Sequence, residues 1–330
     1  MTATPPPRTD DVAVVIAAYQ ASASIGAAVR SALAEPEVSE VWVVDDASAD
    51  GTAAEALRQD DGSGRLHVLT QAVNRGPAAA RNRALALVHA TWVCVLDADD
   101  HFLPGRIGRM LSAGGEAELI ADLPLRDGAA PTEVCPPLQV VDLEQFIRAN
   151  ISRPGRSRQE MGFIKPLMRC DFLAEHSLTY DEELRLGEDY DLYARALALG
   201  ARLHLLPPMG YFATTRADSL SGRHGIADLE RLRDCDLRLA RLRRLSPSEG
   251  RAVRAHYQSL DARVQWRRLI EAVKARDVAG GLATFTSPAV AAHLIGQLAE
   301  QAWLRTWKRA SAGTPARPPG SEILQTRPDA

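Results

Sequence analysis

Four short apolar runs, the first three each followed by a helical segment and three of the four ending in polar residues, constrain the fold of this chain more than any other feature. VAVVIAA (12–18), VWVVDD (41–46), LHVLT (66–70) and TWVCVLD (91–97) are rich in β-branched residues and carry almost no polar interruptions. Residues 24–34, opened by Ser24, and residues 52–59 and 77–90 carry helical spacing between and after them. Strands that are apolar on both faces and alternate with helices form a parallel sheet covered on both sides. The predicted class is therefore α/β with a mainly parallel sheet, in which ligands bind beyond the carboxyl ends of the strands.

Polar residues gather at those ends: Tyr19, next to Ala18, after the first strand, Asp45-Asp46 after the second, and Asp97, Asp99 and Asp100 of DADD after the fourth. From 112 to 160, Pro and Gly are frequent and periodicity is poor, which predicts loops, an edge strand and a short helix at 142–149. GEDYDLYARALALG (187–200) is a helix bracketed by glycines with acidic residues in its first turn. ARLHLLP and YFATT read as strands, and an Arg-rich helical stretch runs to about residue 310. The reading divides the chain into a flexible 1–10, an α/β domain over 11–225, a basic helical region over 226–310 and a disordered tail over 311–330.

Composition narrows the class. The four cysteines, Cys94, Cys135, Cys170 and Cys235, form no CxxC pair, which argues against a zinc site or disulfide framework and fits a reducing cytoplasm. MTATPPPRTDD offers no apolar run for a signal peptide, and no stretch approaches the length of a membrane span. Charge is uneven: from Ile226 onward there are 18 Lys and Arg against 11 Asp and Glu, while the rest of the chain is acidic. That polarity points the C-terminal helices toward an anionic surface, and nothing points to nucleic acid.

Three aspartates coming straight off an apolar strand need a cation nearby, and hard oxygen ligands suit Mg²⁺ or Mn²⁺. Read alone, DADD is equally a solvated turn. The order of segments decides: VVIAAYQASASIGAAVRSAL, EVWVVDDASADGT, NRGPAAARNRAL, WVCVLDADDHFLPGRI and LGEDYDLYARALALG together resemble the family 2 glycosyltransferases of the GT-A fold. The resemblance covers most of 11–225 and is most similar to bacterial exopolysaccharide enzymes such as the succinoglycan glucosyltransferases. It implies a Rossmann-like nucleotide-binding domain followed by a helical C-terminal region.

The resemblance also implies roles. Asp46, with Asp45 beside it, would hold the base of a nucleotide-sugar donor, a UDP-sugar, and Ala17 and Tyr19 would contact that base through backbone and stacking; a helix-capping Asp is the plain alternative for Asp46. Asp97 would face the ribose and Asp99 the metal, Mn²⁺ or Mg²⁺, on the donor pyrophosphate, with Asp100 behind them. Arg81, in the family's GxxxARN segment, would approach base or phosphates, unless it is a surface arginine. Asp189 of the Glu188-Asp189 pair matches the family's general base. Helical spacing independently points it inward with Leu192, Tyr193 and Ala196, whereas Asp191 shares a face with Arg195 and reads as a solvated pair.

One carboxylate facing a diphosphate leaving group implies inversion, an α-linked donor giving a β-linkage, and the implied acceptor is a lipid-linked oligosaccharide. No QxxRW follows the pair, so the chain resembles single-sugar transferases; YFATTRADSLSGRH (211–224) stands there instead, with Arg216, Ser219, Arg223 and His224 placed to close over the diphosphate and His224 as an added metal ligand. A nucleotidyltransferase needs a glycine-rich, lysine-bearing loop after the first strand, and a nicotinamide dehydrogenase needs GxGxxG there; IAAYQASASIG is neither. Trp303, Arg305, Trp307, Lys308 and Arg309 on one C-terminal helix suit a membrane interface, or equally a packing or dimerisation helix.

Overall fold

A computed structural model describes residues 10–125, 138–151, 161–214 and 224–311. The loop residues Arg216, Ser219 and Arg223 lie outside them, as does Cys135, and the side chains of Arg305, Trp307, Lys308 and Arg309 are likewise outside the description. The elements run β1 (Val12–Ala18), α1 (Ile25–Leu33), β2 (Val38–Asp45), α2 (Thr52–Leu57), β3 (Leu66–Thr70), α3 (Pro77–Leu85), β4 (Trp92–Val95), β5 (His101–Phe102), α4 (Arg106–Gly114), β6 (Leu119–Asp122), β7 (Gln139–Val141) and α5 (Leu143–Ala149). A 3₁₀ turn (Met161–Phe163) leads to β8 (Leu167–Arg169), α6 (Cys170–Glu175), α7 (Glu188–Ala198), β9 (Leu203–Leu206) and β10 (Tyr211–Phe212). The helices α8 (Ile226–Leu242), α9 (Pro247–Ala275), α10 (Val278–Ala283) and α11 (Pro288–Ser311) follow.

Eight strands form one sheet in the order β3-β2-β1-β4-β8-β6-β9-β7, and β5 pairs with β10 in a separate two-stranded ribbon. The four strands read from sequence are mutually parallel, as expected. β1 loses every one of Val12, Ala13, Val14, Val15 and Ile16 from solvent because helices cover both faces. Beyond β4 the sheet departs from the sequence reading. β8 runs antiparallel between β4 and β6, and β6, in the stretch read as loops and an edge strand, is completely buried in the sheet interior. LIAD and LMR are four- and three-residue strands flanked by Gly, Pro or helix, too short to show a period. Ser24 stands where the sequence placed it, ahead of α1, but its hydroxyl bonds the Ala21 carbonyl rather than capping the helix.

Two compact units emerge, residues 1–261 and 262–330, with the boundary inside α9. The second has its own small core of Ala262, Leu269, Val290 and Leu294 with Trp266 against them. The helix α8 and the first half of α9 thus belong with the α/β sheet. No helix among the described residues is long and apolar enough to cross a membrane.

Candidate active site

The carboxyl ends of β1, β2 and β4 open on one side of the sheet, as parallel strands in this order must. Two non-glycine residues sit there in left-handed backbone, Gln20 after β1 (φ 51°) and Ala47 after β2 (φ 63°). The two loops are stitched together: Gln20 N–H donates to Ser48 Oγ, Ala21 N–H to Thr52 Oγ1 and Ser22 N–H to Asp50. This costs local strain and fixes the chain where side chains leave the sheet. Tyr19 stands out from it, 53% exposed, with Ala17 half-buried behind.

Asp45 and Asp46 are both buried. Asp45 accepts from Ser48 N–H, and the Asp46 carboxylate accepts from Arg75 N–H at 2.8 Å, Gly76 N–H at 2.6 Å and the Gln71 amide at 2.8 Å. Its oxygens thus shape the turn that enters α3. Gly76 is required at that turn: its φ is +91°, and a Cβ there would fall within 1.7 Å of the Arg185 guanidinium. Pro77 then starts α3, and Arg81, one turn on, reaches into the cleft.

Arg81 is buried and donates to three carboxylates, Glu188, Asp189 and Asp97, each at 3.0 Å. Its guanidinium also lies over the Tyr180 ring at 5.3 Å. Lys165, buried beneath, reaches the other oxygens of the same two aspartates: Asp189 at 2.6 Å and Asp97 at 3.1 Å. Asp97, Arg81, Asp189 and Lys165 therefore close a ring of alternating charge, with both oxygens of each aspartate engaged. Burial opposes ionisation of Asp97, but Lys165 and Arg81 outweigh it and hold the carboxyl below its ordinary range. Burial likewise opposes the Lys165 charge, and Asp189 and Asp97 override it. The sequence pointed to Arg81; Lys165, a lone cation in the apolar segment GFIKPLM, was missed, and its setting in an apolar run before a proline was the available signal.

The third acidic position of VLDADD is held differently. Asp100 accepts from the Tyr211 hydroxyl at 2.7 Å and from Thr214 N–H at 2.8 Å, and the same hydroxyl accepts from Asp97 N–H at 3.3 Å. Burial first, then the charges of Asp97 and Asp99, push the Asp100 carboxyl up to about 6. Five carboxylates, Asp97, Asp99, Asp100, Glu188 and Asp189, gather here, and three of them, Asp97, Glu188 and Asp189, pair with Arg81 or Lys165. Among the described residues no group of three His, Cys, Asp or Glu side chains is spaced to hold a metal. The half-exposed Asp99, in this acidic field, fits the other mode of divalent binding, one or two carboxylates with substrate phosphates completing the shell. His224 lies ahead of α8, its Nδ1 3.9 Å from Asp228.

The base candidate is set by α7. Gly187 opens that helix at φ +77°, and a Cβ there would meet Leu232 of α8 at 2.4 Å, so glycine is the residue that lets the two helices approach. Asp189 is buried, as its spacing with Leu192, Tyr193 and Ala196 required. Asp191 pairs with Arg195 at 2.8 Å, but its carboxylate is not solvated: Asp191 is buried because α8 covers that face, with Cys235 beside the carboxylate. Helical spacing within α7 could not reveal a second helix laid on its far side. Asp191→Asn is accordingly expected to cost about 1–3 kcal/mol, the range for weakening a buried charged hydrogen bond; a urea titration giving only a few tenths would restore the solvated reading.

Residues 13–128 match the description "Glycosyl transferase family 2". The chain is 46% identical over 268 residues to the succinoglycan biosynthesis protein ExoU of Rhizobium meliloti, covering 79% of this chain and 78% of that one. It is 35% identical over 307 residues to the succinoglycan biosynthesis protein ExoO of the same organism, covering 88% and 86%. Among solved structures, S. aureus TarS 1-349 in complex with UDP-GlcNAc aligns at TM-score 0.57 and 18% identity, over 83% of this chain and 90% of that one. The mannosyltransferase PcManGT of Pyrobaculum calidifontis, in complex with GDP-Man and Mn²⁺, aligns at 0.56 and 17%, over 91% and 88%. At such identity these two likenesses bear on the fold, which is GT-A.

Proposed function

Because the chain belongs to family 2 of the glycosyltransferases, we propose that its cleft transfers one sugar, glucose from UDP-glucose, with inversion onto a hydroxyl of a lipid-linked oligosaccharide in exopolysaccharide assembly. The observation that carries this reading is the placing of Asp189: a buried carboxylate on α7 faces the strand-end Asp97 across Arg81 and Lys165. The names of ExoU and ExoO support the polysaccharide, and the TarS complex supports a UDP-linked donor.

In this mechanism Ala17, Tyr19, Asp45 and Asp46 frame the base, Asp97 takes the ribose, and Arg216 and Arg223 close on the diphosphate. Asp46, spent on the turn into α3, acts by shaping the base pocket. Asp99, with His224 as an added ligand, would hold Mn²⁺ or Mg²⁺, which supplies positive charge to the departing diphosphate. The acceptor oxygen attacks the anomeric carbon as its proton passes to Asp189, and the anomeric C–O bond to the diphosphate breaks, the electron pair leaving with the nucleoside diphosphate. A carboxylate offers about four lone-pair positions; Arg81 and Lys165 occupy two on Asp189 and leave room for the incoming hydroxyl.

A panel of nucleotide sugars with Mn²⁺ or Mg²⁺, followed by NMR of the product's anomeric configuration, tests donor and stereochemistry together; an α-linked product sinks the inverting reading. Replacing Asp99 by Asn should weaken metal-dependent donor binding by about 1–3 kcal/mol, the loss typical of a charged partner. Calorimetry showing the same affinity with EDTA, and no effect of the substitution, removes Asp99 from the metal.

The proposed location is the cytoplasmic face of the cell membrane, reached through the C-terminal helices. On α11, Ile295, Leu298 and Trp303 are exposed, Trp303 at 62%, and the end of the chain is basic. Deleting 290–330 should abolish binding to anionic vesicles while leaving donor hydrolysis intact, and wild-type binding should weaken as salt rises. Indifference of the full chain to such vesicles at low salt makes α11 a packing helix.

A further inference from the structure

A second polar cluster lies outside the cleft, in the same unit, where α7, α8 and α9 meet. The Tyr190 hydroxyl donates to Asp236 Oδ1 at 2.9 Å, and His256 Nδ1 lies 2.8 Å from Asp236 Oδ2 and 3.0 Å from the Tyr190 hydroxyl. All three side chains are buried, Asp236 completely. The Tyr190 ring is further held by stacking on Phe146 of α5, centroids 5.7 Å apart, and by the His256 ring at 4.5 Å. A carboxylate with no solvent contact is costly unless its partners are fixed, so the cluster specifies one arrangement of the three helices.

Its position gives that arrangement a consequence. Tyr190 is the residue after Asp189, in the first turn of α7, where a helix is least held by its own hydrogen bonds. Asp189 itself must meet Arg81 and Lys165 at 3.0 and 2.6 Å. Gly187, opening the turn, removes side-chain restraint on the other side of the pair. The Tyr190 hydroxyl thus ties the first turn of α7 to Asp236 of α8 and His256 of α9.

We propose that Asp236 and His256 are positioning residues for the transfer reaction, acting through the Tyr190 hydroxyl to hold Asp189 at the ring of Arg81 and Lys165. This rests on the reading of Asp189 as the base. It makes α8 and α9 working parts of the transferase, reaching Asp189 through its neighbour Tyr190. Tyr190→Phe keeps the ring and its stacking and removes one hydroxyl; Asp236→Asn and His256→Asn keep shape and a polar contact.

The test is a mutant cycle on the full chain with a fixed donor and acceptor. Tyr190→Phe should lower kcat roughly 10- to 100-fold, the scale of an ångström-sized misplacement, with donor KM and donor-binding stoichiometry unchanged. His256→Asn should recover part of the kcat that His256→Leu loses. In an Asp189→Asn background, Tyr190→Phe should add no further loss, because it acts through the group already removed. Equal proportional losses in both backgrounds, or a kcat per donor-binding site equal to wild type, overturn the proposal and leave the cluster as helix packing. Should Asp189→Asn alone transfer normally, the base assignment fails instead, whatever Tyr190→Phe does; should it be inactive while Tyr190→Phe is normal, only the tether fails.

Discussion

Asp189→Asn is expected to bind donor and metal nearly as the wild type does while sugar transfer falls by about 10²–10⁴-fold, the usual worth of a positioned general base. Asparagine fills the same space and keeps one acceptor oxygen for Arg81 or Lys165, where the native carboxylate engages both. What it cannot do is take a proton from the acceptor hydroxyl. Donor affinity by calorimetry and initial rates of transfer, measured on one preparation, separate the two effects. Transfer within tenfold of wild type, with binding intact, would remove Asp189 from the chemistry.

Loss of Arg106 should be the most damaging single change to stability. Arg106 and Asp122 are an ion pair without solvent contact, 2.7 Å apart. Arg106 also donates to the Lys165 carbonyl at 2.8 Å and faces the Phe102 and Tyr211 rings at 4.7 and 5.3 Å. Asp122 in turn accepts from the backbone N–H groups of Met209 and Tyr211 at 3.0 and 3.3 Å. Arg106→Met strands a buried carboxylate, which costs about 3–5 kcal/mol and lowers the melting temperature by roughly 10 °C in a unit of this size. Adding Asp122→Leu should return part of the loss, since it removes the stranded charge. A single-variant loss below about 1 kcal/mol in urea would show that water reaches the pair.

The same pair explains how much of the site was legible. β1 to β4 and α3 announce themselves because their continuous apolar runs alternate with helical spacing, and strand ends carry the polar residues that mark the cleft. Asp189 was readable for the same reason, from helical spacing over α7. Lys165 and Arg106 were not: each is one cation whose neighbours come from distant elements, and Arg106, in PGRIGRM, looks like any solvated helix residue. Burial of Asp191 and the sheet-interior position of β6 were hidden for a related reason, since both are imposed by segments placed against them from elsewhere in the chain. Short strands hold their place by partners, and a partner has no period.

The strand order also governs how the protein can be made. β4 emerges from the ribosome with its outer edge unpaired, and the strand that pairs there, β8, is synthesised only after β5, α4, β6, β7 and α5. β6 must wait for β8 on one side and for the still later β9 on the other. A nascent chain thus carries an open, apolar strand edge from Val95 until Leu167 is made, about a fifth of its synthesis, the kind of surface that pairs with other chains and that chaperones cover. Protecting that edge during translation is therefore expected to raise soluble yield in a foreign host.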